Sequence, residues 1–464
     1  MSRKAGLSSD GRKRREHDET SAHYGISEND NWNKLNMAEE VKQPTFPDMS
    51  NGIDYTKYTV EDPENTRGGE IAGEPYVQPS LFMHILKSLK PGQDLTRVLI
   101  PVFFLSPRSL LEHLGDMLMH IDILDSPDLQ GDDAYKRFML ILKWYLSSWH
   151  YKTHGCKKPY NPIIGETFSC IVDTAESRVS YVAEQCGHHP PISGFYLENQ
   201  KKGYCANGYI WTKSHFTGNS ACGSMLGNIE VFLPKFDEVY NTIIPAFAGT
   251  GLFFGTLRMQ LIDKLVLECK KTGYKADIEF HGKSMFGSEL NRVTAVISHN
   301  GQVLHHLHGH WDSQYYLTDA NKQHETLFLD VTKLTVLPKK VLDVPYEGPY
   351  ESRRLWNKVT TAIRRAEGPD WKTVEQEKTR LEDDQRALPC QQKHDSPQYK
   401  PWTQKLFVKV PHNGVGKMET GYRFKYFDLN MVRPDAPYRD FLALSRNVAD
   451  ERAAPESFES VIKQ

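Results

Sequence analysis

The sequence predicts a mainly β protein with added helices (α+β), in which one large antiparallel sheet dominates. The chain contains 22 tyrosines and 21 phenylalanines, residue types that favour strands. Between residues 165 and 335, segments such as SYVAEQ, GYIWTKSHF and ADIEFHG show near-alternating or β-rich patterns, separated by turn signals such as Asn300-Gly301. This regular spacing predicts a sheet large enough to curl or close.

Helical patterns lie on both sides of this region. Ser106-Pro107 has the form of an N-cap followed by the first residue of a helix, and residues 132–153 show a strong helical pattern. Helices are therefore expected within residues 106–153. Residues 350–390, rich in Lys, Glu and Arg, indicate a second helical region. From about residue 391 the chain is expected to be irregular.

The N-terminal part of the chain divides into two kinds of sequence. Residues 1–75 are polar and poor in aliphatic side chains, so we expect a disordered tail. Residues 80–90 instead place apolar side chains on one face of a helix, which Pro91-Gly92 ends. Such a short amphipathic helix can dock on the protein's own core or on a membrane surface.

Composition argues against several classes of protein. Lys and Arg number 57 against 59 for Asp and Glu, a net charge of −2, without the basic domain typical of nucleic-acid binders. The seven cysteines are odd in number and form no CxxC pair, which disfavours a disulfide framework and favours a reducing cytosol. We expect no secretory signal and no transmembrane helix, so any membrane contact should be at the surface.

The segment KPYNPIIGET, residues 158–167, is the first candidate for a binding loop. Two prolines bracket Tyr160-Asn161 and stiffen the chain. A stiff loop presents Lys158 and Asn161 as fixed donors, which suits a phosphate or a carboxylate. Taken alone, an ordinary structural turn is the more common outcome.

The segment EQCGHHPP, residues 184–191, is the second candidate. Adjacent strand residues point to opposite faces, but the two prolines break that regularity, so His188 and His189 can reach one site. A metal site needs more ligands than this pair. A binding role is therefore favoured.

The third candidate lies in the C-terminal helical region. Lys378, Glu382 and Arg386 are spaced i, i+4 and i+8 and share one helical face, which presents two cations oriented by a carboxylate. The alternative is a row of surface ion pairs worth roughly 0.2–0.5 kcal/mol each. The helix alone favours that alternative.

A histidine-rich strand supports an enzymatic alternative. His306, His308 and His310 would face one way on a strand, as three imidazole ligands of a metal would. A metal-dependent hydrolase would also need a base and further ligands, and none with suitable spacing stands out. The sequence also contains no GxSxG, GxxxxGK[ST] or HExxH motif. We therefore expect a protein that is not an enzyme.

Together and in this order, these segments resemble the oxysterol-binding protein family. EQCGHHPP is similar to the family fingerprint EQVSHHPP, and KPYNPIIGETF is similar to KPxNPxxGE. DLTRVLIPVFFLSPRSLLE resembles the family's opening strand and helix, and the Lys-Glu-Arg helix resembles its C-terminal basic helix. The resemblance covers roughly residues 78–410. Cys186 and Gly187 stand where the family pattern has Val and Ser.

The resemblance implies a large incomplete antiparallel β-barrel around a hydrophobic tunnel. The lipid-binding domain would span 76–410, with an N-terminal amphipathic lid at 78–97, helices at 106–153, the barrel at 156–345 and a C-terminal helical subdomain at 350–390. A C-terminal extension would follow at 411–464, and no pleckstrin-homology domain is expected. The residues implied for the lid and tunnel are Leu81, Phe82, Ile85, Leu86, Leu89 and Leu95. Those implied for a phosphoinositide head group are Lys158, Asn161, His188, His189, Lys378, Glu382 and Arg386.

By the same resemblance, the protein would exchange phosphatidylinositol 4-phosphate for phosphatidylserine or a sterol between membranes. It would need no cofactor or metal. It would be cytosolic and peripherally associated with contact sites of the endoplasmic reticulum, Golgi or plasma membrane. A lipid sensor or scaffold without net transfer is the alternative, and the metal-dependent hydrolase is a remote one.

Overall fold

The computed structural model describes residues 54–60, 102, 105–150, 157–217, 220–251, 258–282, 289–393, 395–415, 418 and 420–442. All of these belong to one unit, Phe46–Gln464. The predicted lid at 78–97 lies outside the described residues, and so does the predicted tail apart from 54–60. The lid and tunnel residues Leu81, Phe82, Ile85, Leu86, Leu89 and Leu95 are therefore not described.

One antiparallel sheet of 15 strands forms most of the described structure, which confirms the mainly β class. Its order is β1-β17-β4-β5-β6-β7-β8-β10-β11-β12-β13-β14-β15-β16, and β9 pairs with β8 and β11. Two small sheets pair β2 with β3 and β18 with β19. The strand bounds are β1 (Tyr58–Val60), β2 (Leu105–Ser109), β3 (Lys158–Tyr160), β4 (Thr167–Asp173), β5 (Arg178–His188), β6 (Pro191–Asn199), β7 (Tyr204–Phe216), β8 (Ser220–Leu233), β9 (Glu238–Thr242), β10 (Ala246–Thr250), β11 (Arg258–Cys269), β12 (Tyr274–Phe280), β13 (Arg292–His299), β14 (Gln302–His310), β15 (Gln314–Asp319), β16 (Thr326–Asp330), β17 (Lys339–Leu342), β18 (Phe407–Pro411) and β19 (Thr420–Phe424).

In the chain, helices lie before β4 and after β17, on either side of most strands of the sheet. Their bounds are α1 (Leu110–Leu114), α2 (Ala134–Ser147), α3 (Ser352–Leu355), α4 (Asn357–Ile363) and α5 (Trp371–Ala387). Short 3-10 turns lie at Tyr55–Lys57, Gly115–Leu118, Ile121–Asp125, Pro127–Gln130, Pro234–Phe236, Val331–Lys333, Val344–Tyr346 and Pro389–Gln391. Within the described part of the chain, each helix is too short or too polar to cross a membrane.

The hairpin between β13 and β14 shows how local sequence sets strand pairing. Asn300 and Gly301 have φ values of 48° and 83°, which a two-residue hairpin loop requires and which this residue pair adopts readily. The strands pair on either side of it, from His299↔Gln302 to Arg292↔His310. The turn predicted at Asn300-Gly301 is confirmed.

Residues 54–60 correct the prediction of a tail that is disordered throughout residues 1–75. Asp54 caps the turn by accepting a hydrogen bond from the Thr56 amide at 3.1 Å, and β1 pairs with β17. The Tyr55 hydroxyl donates to Asp440 at 2.5 Å, and Tyr58 is buried. These contacts hold the segment against the sheet and the C-terminal part of the chain. The prediction of disorder rested on the average composition of the whole tail.

The first helix begins later than the sequence indicated. Ser106 and Pro107 lie in β2, which runs parallel to β3, and α1 starts at Leu110 after Ser109. Instead of capping a helix, the Ser106 hydroxyl lies 3.1 Å from Nε2 of His113. Strand pairing with β3 therefore overrides the local capping signal.

Strand β5 is buried on both of its faces. Successive residues Tyr181 and Val182 of β5 belong to two different hydrophobic clusters, because strand side chains alternate between faces. The cluster of Tyr181 includes Phe138 of α2, and the cluster of Val182 includes Phe424 of β19. The helices thus cover one face of β5, and the C-terminal part of the chain covers the other.

The C-terminal part is more regular than the sequence indicated. β18 and β19 form an antiparallel hairpin in which Phe407 pairs with Phe424. The Phe424 ring stacks on Tyr196 of β6, with ring centroids 4.6 Å apart. Aromatic burial against the sheet therefore orders this segment, and the boundary predicted at residue 410 falls inside the hairpin.

Buried charges join β2, α1 and β17. Asp116 follows α1 and accepts hydrogen bonds from Arg108 of β2 at 2.9 Å and from Lys339 of β17 at 2.6 Å. Nearby, Arg353 of α3 donates to Glu112 of α1 at 2.8 Å. This network holds β2 in place, and β2 in turn pairs with β3, which carries Lys158.

Candidate functional site

The first binding loop leaves β3 and is anchored by a buried carboxylate. Glu166 accepts hydrogen bonds from the Ile163 amide at 2.9 Å, the Ser352 hydroxyl at 2.7 Å and the Trp356 indole at 2.9 Å. The Ser109 hydroxyl donates to it as well. The loop is therefore attached at its C-terminal end to β2, to α3 and to Trp356 between α3 and α4. Lys158 and Asn161 are exposed.

Lys158 lies at the surface, close to α5. Its side chain is exposed to solvent, yet surrounding protein atoms desolvate it enough to lower its pKa. Lys378 also lowers this pKa, whereas Glu382 acts in the opposite direction, so both lie close to Lys158. Asn161 is exposed, and among the described residues its side chain has no hydrogen-bond partner.

The second binding loop brings the two predicted histidines together. His188 ends β5, and its ring centroid lies 4.5 Å from that of His189. The register of β5 against β6 shifts between Gln185 and Gly187, just before the pair. Burial, with smaller effects of His189 and Arg386, lowers the pKa of His188 to about 4.

Helix α5 supplies the cations. Lys378 Nζ lies 2.5 Å from Glu382 Oε1, and Arg386 Nη2 lies 3.5 Å from Glu382 Oε2. Glu382 therefore links the two cations on one helical face, as the spacing predicts. Arg386 also pairs with Asp383 and is 60% exposed, so part of its guanidinium remains open to solvent.

These groups form one continuous site. Lys158 interacts with Lys378 and Glu382, Glu382 contacts Arg386, and Arg386 acts on His188. The structure thus brings together six of the seven predicted head-group residues, and Asn161 lies in the same loop as Lys158. Cations and imidazoles grouped in this way provide charge-assisted hydrogen bonds for a phosphate.

Gln385 is a site residue that the sequence analysis missed. Its side chain is buried, its Oε1 accepts a hydrogen bond from the Ile164 amide at 2.9 Å, and its Nε2 lies 2.7 Å from Nε2 of His188. It therefore connects α5 to both binding loops. The available signal was its position four residues after Leu381, which places a polar residue on the buried face of the helix.

A C-terminal segment, residues 402–406, lies behind both loops. The carboxylate of Glu184 accepts hydrogen bonds from the Lys405 and Leu406 amides, each at 2.7 Å. The Trp402 ring packs on Gly165, where an added Cβ would come within 2.1 Å of it at a φ of +77°. Glu184 of the fingerprint is thus an anchor for this segment and not part of the ligand-facing surface.

The two departures from the family fingerprint can now be placed. Cys186 is buried in the hydrophobic cluster that the C-terminal part covers. Gly187 would place a Cβ 3.0 Å from the Pro190 carbonyl oxygen, so a larger residue would need a small local shift. Neither residue takes a cation or imidazole away from the site.

The histidine-rich strand β14 is part of the sheet and distant in sequence from these loops. His308 pairs with Glu325 at 3.0 Å and stacks on Tyr316. Across the part of the chain that the structure describes, no three His, Cys, Asp or Glu side chains are placed to hold one metal ion. The shared strand face of His306, His308 and His310 therefore does not form a three-ligand centre.

Comparisons with known proteins agree with this geometry. The sequence model of the oxysterol-binding protein family matches residues 82–431. Human oxysterol-binding protein-related protein 8 is 34% identical over 412 residues, covering 86% of this chain and 44% of that protein. Human oxysterol-binding protein-related protein 11 is 37% identical over 371 residues, covering 72% and 48%. The chain thus spans less than half the length of these relatives.

Solved structures show the same fold. The Osh1 ORD domain in complex with ergosterol aligns with a TM-score of 0.63 at 20% identity, covering 83% of this chain and 93% of that one. The Osh3 ORD of Saccharomyces cerevisiae in complex with PI(4)P aligns with a TM-score of 0.56 at 18% identity, covering 78% and 95%. From the family match over most of its length, this chain belongs to the oxysterol-binding protein family.

Proposed function

We propose that the chain carries lipids and exchanges phosphatidylinositol 4-phosphate for a second lipid, phosphatidylserine or a sterol, between membranes. One observation supports this most directly: Lys158 and His188 each lie close to the cations of α5, so the site gathers the charge-assisted donors that a phosphorylated head group needs. The Osh3 and Osh1 domains, whose structures contain PI(4)P and ergosterol, share its fold.

The binding chemistry follows from the charges of the site. A phosphomonoester carries close to two negative charges at neutral pH and three acceptor oxygens. Lys158, Lys378 and Arg386 supply cations, and the imidazoles supply further hydrogen bonds. Glu382 pairs with two of the cations and so holds them in position without the ligand.

Shielding the acyl chains is the second requirement of a lipid carrier. Each CH₂ exposed to water costs about 0.8 kcal/mol, so a long acyl chain faces a barrier on the order of 10 kcal/mol in leaving a membrane. We propose that a hydrophobic tunnel inside the sheet accepts these chains and that residues 78–97 cover its mouth. Leu81, Leu86 and Leu89 would then face the lipid.

Binding and release are sufficient for this function, so no covalent step is required. The proposed setting is the cytosol, with transient contact to endoplasmic reticulum, Golgi or plasma membranes. A sensor or scaffold would bind the same head group at the same site, and it would differ only in failing to move lipid between membranes.

The test uses purified protein and three separate vesicle preparations, which contain phosphatidylinositol 4-phosphate, phosphatidylserine or sterol. Extraction of the phosphoinositide and of one other lipid would support exchange and identify the second cargo. Binding to phosphoinositide vesicles without extraction would assign the sensor function. Absence of both binding and extraction would overturn the proposal.

A further inference from the structure

The hydrogen bonds of Gln385 fix the direction of its amide group. A backbone N–H can only donate, so the group that faces the Ile164 amide at 2.9 Å must be the carbonyl oxygen of Gln385. The NH₂ group therefore faces His188, and Nε2 of that ring, at 2.7 Å, must accept. This assignment follows from donor and acceptor types alone.

An accepting Nε2 determines the protonation state of His188. Imidazolium carries a proton on both nitrogens, so the Nε2–H of His188 would face the NH₂ group of Gln385, and two donors would meet without an acceptor. The ring is therefore neutral, with its single proton on Nδ1. Nδ1 is buried, and among the described residues it has no hydrogen-bond partner. A buried donor without an acceptor costs free energy until an acceptor arrives.

We propose that Gln385 is a positioning residue that holds His188 as a neutral Nδ1–H donor for a phosphate oxygen of the ligand. This inference rests on the proposed function, since it names how one residue of that site meets the head group. Gln385 itself does not touch the ligand. Its side-chain carbonyl holds the first binding loop at Ile164, and its NH₂ group fixes the tautomer of His188 in the second binding loop.

The surroundings of the ring agree with a neutral state. The charged and titratable groups that act on His188 are Arg386 of α5 and the adjacent His189, and both oppose a positive charge on it. Across the β5–β6 hairpin, His188 pairs with Pro191, which carries no charge. Binding through His188 should therefore not change as pH varies between about 5.5 and 8, where an ordinary histidine titrates.

The first measurement needs no substitution. In the full chain with ¹⁵N-labelled histidine, the His188 ring should show a protonated Nδ1 and an unprotonated Nε2 near neutral pH, without titration above about pH 5. The His188→Gln variant assigns the signals. A protonated Nε2, or titration near the ordinary value of about 6.5, would overturn the proposal.

In Gln385→Glu, one carboxylate oxygen still accepts a hydrogen bond from the Ile164 amide. The other oxygen faces His188 and replaces the NH₂ donor by an acceptor. The carboxylate accepts from Nε2–H and stabilises imidazolium, so the pKa of His188 rises. Affinity for vesicles containing phosphatidylinositol 4-phosphate should then fall about tenfold or more as pH rises through that new pKa, because Nδ1 loses its proton. The matched control Gln376→Glu adds the same charge on the exposed face of α5 and should keep the wild-type pH profile.

A second pair of variants keeps the proposal testable if Gln385→Glu fails to fold. The amide nitrogen of Asn takes the place of Nδ1, and that of Gln takes the place of Nε2. His188→Asn should therefore retain about tenfold more affinity than His188→Gln. Equal losses would overturn the proposal. If no variant and no wild-type protein binds the vesicles while the ring shows the expected tautomer, the proposed function fails and the assignment of the proton stands.

Discussion

Lys339 and Asp116 form an ion pair in the interior of the protein. Nζ lies 2.6 Å from Oδ1, and neither side chain is exposed to solvent. Arg108 reaches the same carboxylate at 2.9 Å, so two cations from two strands meet one anion. Because Arg108 belongs to β2, the pair positions the strand that lies beside Lys158.

Asp116→Asn should lower the free energy of unfolding by about 3–5 kcal/mol, because two buried cations lose their anion. Urea denaturation of the wild type and the variant measures the difference. Asp128→Asn is the matched control, because the pair between Asp128 and Lys136 is exposed and should contribute about 1 kcal/mol or less. Similar losses from the two variants would contradict the prediction.

The pKa of Asp116 determines how this carboxylate contributes to stability at different pH. Burial alone would raise the pKa of Asp116, but Arg108 and Lys339 outweigh it and hold this pKa well below its ordinary value. The stabilisation is therefore fully present above the unfolded-state pKa and is lost as pH falls through the folded-state pKa. Acid denaturation of wild type should be steeper than that of Asp116→Asn, and parallel curves would argue against this contribution.

Replacing His188 and His189 together by Ala should abolish extraction of phosphatidylinositol 4-phosphate, with a loss of affinity of about tenfold or more. His188 ends β5 and His189 follows it, so circular dichroism should show that the fold is retained. The buried Gln385 amide loses its acceptor, so the free energy of unfolding should fall by about 1–3 kcal/mol. The double variant His306→Ala, His308→Ala removes two imidazoles from the outward face of β14 and should extract lipid normally. Normal extraction by the first variant would exclude the assigned site.

Lys158→Ala should weaken phosphoinositide binding by about tenfold or more, because it removes a charge-assisted hydrogen bond. Desolvation and Lys378 lower the pKa of Lys158, so the wild-type affinity should start to fall at a lower pH than an ordinary lysine would give. Vesicle flotation across an alkaline pH series measures both effects. Lys372→Ala, on the exposed part of α5, serves as the control and should bind as wild type does.

If residues 78–97 form the proposed lid, replacing Leu81, Leu86 and Leu89 by Ser should shorten the time for which the protein retains an extracted lipid, because each leucine would contribute about 1.5–3 kcal/mol of apolar burial to the closed lid. Head-group binding should persist, since the site at α5 is unchanged. Retention is measured by the rate of lipid loss to acceptor vesicles. Replacement of Lys87 and Lys90 by Ser, off the apolar face, should have little effect, and equal rates in all variants would refute the lid.

The sequence predicted those features that depend on neighbouring residues. Local patterns predicted the Asn300-Gly301 turn, the β-rich region and the helix that carries Lys378. The EQCGHHPP segment identified His188 and His189 as candidates. Ser106-Pro107 misled because pairing between β2 and β3 depends on residues more than fifty positions away.

Long-range contacts also hid part of the site. Gln385 meets Ile164 across 221 positions of the chain, and Glu184 meets Leu406 across 222. The spacing from Leu381 places Gln385 on the buried face of its helix, but nothing near either residue in the sequence identifies its distant partner. Sequence reasoning therefore finds the groups that would touch a ligand more readily than those that hold them in place.

The C-terminal segment 402–406 has a consequence for biosynthesis. A ribosome delivers the binding loops and α5 before it delivers Trp402, Lys405 and Leu406, whose contacts fasten both loops from behind. A nascent chain that ends at residue 400 contains every predicted head-group residue but lacks segment 402–406, whose contacts hold the two loops in place. Under the proposed function, competence to capture lipid would therefore be acquired late in translation, when most of the sheet has already emerged.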